Sequence, residues 1–153
     1  MGSVGRTDAA SRVIDAPAAR IYAACTDSAA LAVWLPPTGM TGAFEHFDAT
    51  PGGGYRMRLT HEGDGAGKST ADSDVVEARF VELVPDVRVV QAVEFVSDDP
   101  AFAGTMTMTW SLEPVDGGTL VTIRADDVPP GISAEDHAAG MAASLRNLAR
   151  FVE

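Results

Sequence analysis

SAEDHAAGMAASLRNLARFV, Ser133–Val152, is the stretch whose reading decides the fold. Ser133 followed three residues later by Asp136 is a capping-box-like helix start, with acidic residues in the first turn. Ala138, Met141, Ala142, Leu145, Leu148, Ala149 and Val152 then recur at spacings of 3, 1, 3, 3, 1 and 3. That pattern is one apolar stripe along a helix of about five turns. An amphipathic helix of this length needs a broad apolar partner.

The partner is a sheet. In YRMRLTHE, Tyr55, Met57 and Leu59 share one face, and Arg56, Arg58 and Thr60 share the other. In TMTMTWSLEPV, Met106, Met108, Trp110 and Leu112 alternate with Thr105, Thr107, Thr109 and Ser111. Alternation of this kind marks strands with one buried face and one wet face. Further strands are expected over Thr7–Ile14, Ala43–Ala49, DVVEARFVELV, VRVVQAVEFV and TLVTIRADDV. Pro51–Gly54, Pro85-Asp86, Asp98–Pro100 and the hairpin signal Asp116-Gly117-Gly118 supply the turns.

Two short helices are expected after the first strand. Asp15-Ala16-Pro17 opens one with a capping side chain and a proline tolerated in the first turn. Thr26-Asp27-Ser28 interrupts, and AALAVWL forms the second, which Pro36-Pro37 stops. The expected class is therefore α+β. A curved antiparallel sheet of about seven strands wraps around the long C-terminal helix, and a hollow lies between them.

The 153 residues suit one domain, 1–153, with residues 1–6 expected as a flexible tail. A net charge of −11 opposes binding to nucleic acid or to an anionic membrane surface. No apolar run reaches the ~20 residues that span a bilayer. MGSVGRTDAAS has no signal-peptide pattern, so a cytoplasmic location is expected. Cys25 is the sole cysteine, which excludes an intramolecular disulfide and a cysteine metal cluster. It falls in the apolar helical pattern RIYAAC and is expected to be buried.

GDGAGKST, Gly63–Thr70, resembles a phosphate-binding loop, but Glu62 stands where that motif needs its first glycine. A strand rather than a helix follows, so no helix N-terminus is available for phosphate. The segment is expected to be a loop between strands, with Lys68 an exposed charge.

VIDAPAARIYAACTD with WLPP, PGGGYRMRL, FVELVPDVRVVQ, TMTMTWSLEPVDGGTLVTI and SLRNLARFV together resemble the START-like (SRPBCC) superfamily of helix-grip proteins. That superfamily includes polyketide cyclases and birch-pollen-allergen-type proteins. More specifically, these stretches resemble bacterial single-domain proteins related to the activator of heat-shock-protein-90 ATPase. The resemblance covers about Val13 to Val152 and implies architecture more than activity. Many relatives carry an aromatic after the glycine of the closing helix, where this chain has Met141 after Gly140. The difference alters the shape of any pocket.

In a helix-grip fold the apolar set Trp34, Phe44, Tyr55, Met57, Met106, Met108, Trp110, Met141, Leu145 and Leu148 lines a cavity; in most other folds it is simply core. Flexible thioethers suit an adaptable apolar site. His46, His61 and Glu94 are the candidate polar pocket residues. His46 shares a phase with Phe44, and His61 follows Tyr55, Met57 and Leu59 in phase. Glu82, Gln91 and Glu94 interrupt apolar strands, with the outer face or a bulge as the ordinary reading of each. Arg56, Arg58 and Arg79 are expected on the solvated face.

The three histidines, His46, His61 and His137, have no metal-ligand spacing, and no Ser-His-Asp or Cys-His arrangement is present. No catalytic residue, metal or cofactor is implied. The expected function is binding of a small apolar or amphipathic ligand. The first alternative is a cyclase- or hydrolase-like enzyme using His46, His61, Glu82 or Glu94. A chaperone-ATPase-activating interaction, implied by the resemblance alone, ranks below ligand binding. The eukaryotic co-chaperone uses an additional N-terminal domain. A homodimer through exposed strand or helix surface has no motif to mark it.

Overall fold

The computed structural model describes residues 6–36, 40–61, 73–96 and 99–153, and of His61, Ser73 and Asp74 the backbone only. The loop Gly63–Thr70 and Pro37 lie outside the described residues. The elements run β1 (Arg6–Ile14), α1 (Ala18–Cys25), α2 (Ser28–Trp34), β2 (Met40–Phe47), β3 (Gly54–His61) and β4 (Ser73–Val84). They continue with β5 (Arg88–Val96), a 3-10 turn at Pro100–Phe102, β6 (Met106–Val115), β7 (Gly118–Val128) and α3 (Ala134–Val152). The seven strands form one antiparallel sheet ordered β1-β7-β6-β5-β4-β3-β2. This is the helix-grip fold: the curved sheet holds α3, and α1 and α2 bridge from one edge strand to the other.

Local chemistry explains the element ends. Ser133 Oγ accepts from the Asp136 amide at 3.0 Å, which caps α3. Asp27 caps α2 by accepting from the Ala29 amide at 3.3 Å. The cap expected for α1 differs: Pro17 itself is the cap residue and no side chain bonds there. Asp15 instead offers its backbone amide to Glu153 Oε2 at 3.1 Å, tying the chain before α1 to the end of α3. Arg6, expected in the tail, opens β1 and pairs with Asp8.

The stripe on α3 is rotated from the expected one. Met141, Leu145, Leu148, Ala149 and Val152 are buried, whereas Ala138 and Ala142 are exposed. His137 and Ser144 take the inward, half-buried places instead. Bulky side chains set the helix face because they carry most of the transfer energy, and alanines mark a face weakly. Beneath α3 the core is close-packed around Ile14, Ile21, Phe80, Val89, Val121 and Ile123. Trp34 donates through Nε1 to the Ala24 carbonyl at 3.0 Å and meets Trp110 edge-on at 5.5 Å.

Two bulges change which way side chains point. One lies between Phe44 and His46, so Phe44 and Phe47 both face inward and His46 pairs with Arg56 on the outer face. The phase shared by His46 and Phe44 in the sequence is thereby broken. The other lies between Phe80 and Glu82, which turns Glu82 outward to an ion pair with Arg88. Bulges also bend the sheet, which helps it curl around α3.

Candidate functional site

The inner face of β3 to β7 does not reach α3 everywhere. Toward the N-terminal half of the helix the two surfaces part and leave a cavity of about 360 Å³. Its walls are Met57, Met106, Met108 and Met141, with Trp110, Val93, Phe95 and Ile123. Leu35 and Met40 approach from the chain on either side of the α2–β2 connection. Gly140 faces the opening, and a Cβ there would meet nothing within 4 Å.

Side chains from two polar pairs, Tyr55 with Gln91 and His137 of the other, interrupt this apolar lining. Tyr55 and Gln91 lie together in the lining. Burial pushes the Tyr55 hydroxyl up to about 12 against a smaller opposing effect of Gln91, so it stays protonated at neutral pH. Gln91 is 7% exposed on the inner face of β5, whereas the ordinary reading of the sequence is the outer face or a bulge.

The second pair is His137 and Asp8. His137 Nδ1 lies 2.7 Å from Asp8 Oδ2, and the two side chains are 12% and 11% exposed. Arg6 Nη2 also binds Asp8 Oδ2, at 3.0 Å, and bonds the Ile132 carbonyl. Burial raises the Asp8 carboxyl, but the bonds from Arg6 and His137 outweigh it and hold the group below its usual range. Sequence reasoning noted His137 only as one of three histidines and passed over Asp8. The available signal was the spacing of His137, Met141, Ser144, Leu145 and Leu148, a helix face hidden by the alanine-based stripe.

Of the residues predicted for the pocket, Tyr55, Met57, Met106, Met108, Trp110 and Met141 meet around the cavity. Trp34 packs one layer behind, against Trp110. Phe44 sits beside the cavity in an aromatic cluster, 5.1 Å from the Tyr55 ring. Leu145 and Leu148 are buried further along α3, where helix and sheet touch. Glu94 is on the outer face, where its carboxylate accepts from Thr105 Oγ1 at 2.7 Å. His46 also lies there, along an open groove of about 580 Å³ with Glu77, Arg79 and Glu94. The His61 side chain lies outside the described residues. Cys25 is a free, buried thiol, and burial pushes it up to about 12.

The architecture and the cavity under α3 define a helix-grip α+β protein. The family model of the Activator of Hsp90 ATPase homolog 1-like protein matches residues 15–153, and the chain belongs to that family. Protein CV1439 from Chromobacterium violaceum has a similar crystal structure, with 32% identity and a TM-score of 0.85, over 97% of this chain and 98% of that one. A Rhizobium leguminosarum protein of unassigned function is similar at 22% identity and TM-score 0.74, over 98% and 96% of the two chains. DynU16, from the dynemicin biosynthetic locus, shares the fold at 20% identity and TM-score 0.69, over 95% of this chain and 46% of its own. No curated protein sequence matches the chain. No helix of the described residues is long and apolar enough to cross a membrane.

Proposed function

We propose that the protein binds a small apolar or amphipathic molecule in the cavity beneath α3. The observation that carries this reading is the space of about 360 Å³ walled by methionines and aromatics within an otherwise close-packed interior. It is more than twice the ~150 Å³ apolar cavity that admits benzene, so a ligand of two or three rings is the appropriate size. Burying about 300 Å² of apolar ligand surface contributes roughly 7 kcal/mol before association costs, which points to affinities near micromolar.

The outer groove is larger but is bordered by the charged side chains Glu77, Arg79 and Glu94. Glu77 is held from beside the groove by Arg56 at 2.7 Å. An apolar ligand gains little there and would strip water from ions. The buried free thiol suits a reducing compartment and supports a cytoplasmic location.

Native mass spectrometry and a thermal-shift screen with a panel of one- to three-ring compounds test the proposal. At a hundredfold excess over Kd a ligand stabilises by about 2.7 kcal/mol, a readily measured rise in melting temperature. A panel in which nothing shifts the melt or survives as an adduct overturns the reading.

One observation favours a second reading, an enzyme of cyclase or hydrolase type: His137 on the cavity wall with the Asp8 carboxylate bonded to its ring. Among the described carboxylates and histidines first expected to carry such chemistry, Glu82, Glu94 and His46 face away from the cavity. Mass-spectrometric turnover of any ligand found by the screen, abolished in His137→Ala, would establish this reading. Unchanged ligand after prolonged incubation would dismiss it.

A further inference from the structure

The orientation of His137 fixes what its outer nitrogen can do. An ionised carboxylate only accepts hydrogen bonds. Asp8 is ionised at neutral pH, and the Arg6 guanidinium bonded to it favours that charge whatever the state of the imidazole. The proton on the shared 2.7 Å bond is therefore on Nδ1. In the neutral ring Nε2 then carries a lone pair, and it points away from Asp8. Among the described residues nothing is hydrogen-bonded to Nε2. His137 lines the cavity, and with Nδ1 committed to Asp8 its one remaining polar atom is Nε2. Asp8, bonded to the ring, and Arg6, bonded to Asp8, are on β1, and Glu135 and Asp136 are exposed in the first turn of α3.

We propose that His137 Nε2 is the polar anchor of this cavity, and that it selects apolar molecules carrying one acidic hydroxyl, a phenol or an enol. The hydroxyl donates to Nε2 while the ring system lies among Met106, Met141 and Trp110. If the proton transfers, the O–H bond breaks, the electron pair stays on the ligand oxygen, and the new N–H forms on Nε2. The resulting imidazolium is flanked by the Asp8 carboxylate, an arrangement that holds tautomer and charge as in a Ser-His-Asp triad. Asp8 does not reach the ligand and is a positioning residue. This inference rests on the ligand-binding reading and names the chemistry of its ligand.

The test compares 2-naphthol with 2-methoxynaphthalene, which keeps the rings and lacks the acidic proton. Both are titrated into the full chain by fluorescence, with thermal melts confirming that each variant is folded. The wild type is expected to prefer the naphthol by about tenfold, the value of one buried hydrogen bond. In His137→Leu the preference falls to about one, because the ether loses nothing and the naphthol loses its partner. His137→Phe reads the same ratio should the leucine variant fold poorly. Asp8→Asn is expected to bind the ether as before and to lose the shift of the bound naphthol spectrum toward naphtholate. Equal affinities in the wild type, or a preference that survives in both His137 variants, overturn the anchor while leaving the cavity reading intact. Failure of both probes to bind overturns the anchor and the cavity reading together.

Discussion

Gly140 lies in the middle of α3 with the cavity in front of it, and a Cβ built there meets nothing within 4 Å. Glycine inside a helix is about 1 kcal/mol less favourable than alanine, because the unfolded chain has more freedom to lose. Nothing on the sheet side offsets that difference, since the added methyl enters open space. Gly140→Ala is therefore expected to raise the unfolding free energy by about 1 kcal/mol, or about 2–4 °C in Tm for a chain of this size. Gly140→Trp keeps part of the propensity gain and places an indole across the opening. Its expected signature is a melt no lower than the wild type together with loss of every ligand-induced shift. Urea denaturation followed by circular dichroism measures the first effect, and the thermal-shift screen measures the second. If Gly140→Ala loses 1 kcal/mol or more, the space before α3 is filled and the cavity is not as described. If Gly140→Trp binds ligand as the wild type does, the ligand sits elsewhere.

Three further outcomes are expected. Burial pushes Cys25 from 9.0 up to about 12 and Tyr55 from 10.0 up to about 12, so each ionises first in the unfolded chain. Both pKa values are raised by folding, so their contribution is whole below about pH 9 and is lost as the pH climbs toward 12, by a few kcal/mol in all. Thermal melts across that range check it, and Cys25→Ala should flatten the decline. Ser133→Ala removes the cap on the Asp136 amide and is expected to cost about 1 kcal/mol in urea titrations at unchanged m-value. Gly118→Ala is expected to cost about 2–3 kcal/mol or more, because φ there is +139° and a Cβ would lie 2.0 Å from the Ile14 carbonyl oxygen. A wild-type urea midpoint for that variant would refute the tight β7–β1 approach.

Much of the molecule was legible from one-dimensional pattern. The Thr/Met alternation of β6, the turn Asp116-Gly117 and the Ser133 cap are local preferences, and local preferences survive folding unchanged. The apolar face that carries the methionines and aromatics followed from the same alternation, and its role as a cavity wall is what the helix-grip resemblance implied. The wall's polar members did not follow from alternation. In β5, Val89, Gln91, Val93 and Phe95 form one phase, and Val90, Ala92, Glu94 and Val96 form the other. Each holds three apolar residues and one polar residue, so periodicity had no basis for choosing. Pairing with Phe80 and Met108 chose the Gln91 phase as the inner one. His46 was misplaced for a different reason: a one-residue bulge reverses every later side chain in a strand, and composition does not announce it.

The sequence by itself determined the α+β order, the long closing helix and the apolar inner face, because these depend on spacing along the chain and on residue type. Only the tertiary structure decided the rotation of α3, and with it the place of His137. That rotation is set by where Met141, Leu145 and Leu148 find room against strands far away in sequence. Tertiary packing also brought Asp8, 129 positions from His137, to within 2.7 Å of its ring. No local pattern encodes that pairing, since it exists only once β1 closes the sheet edge beside the start of the helix.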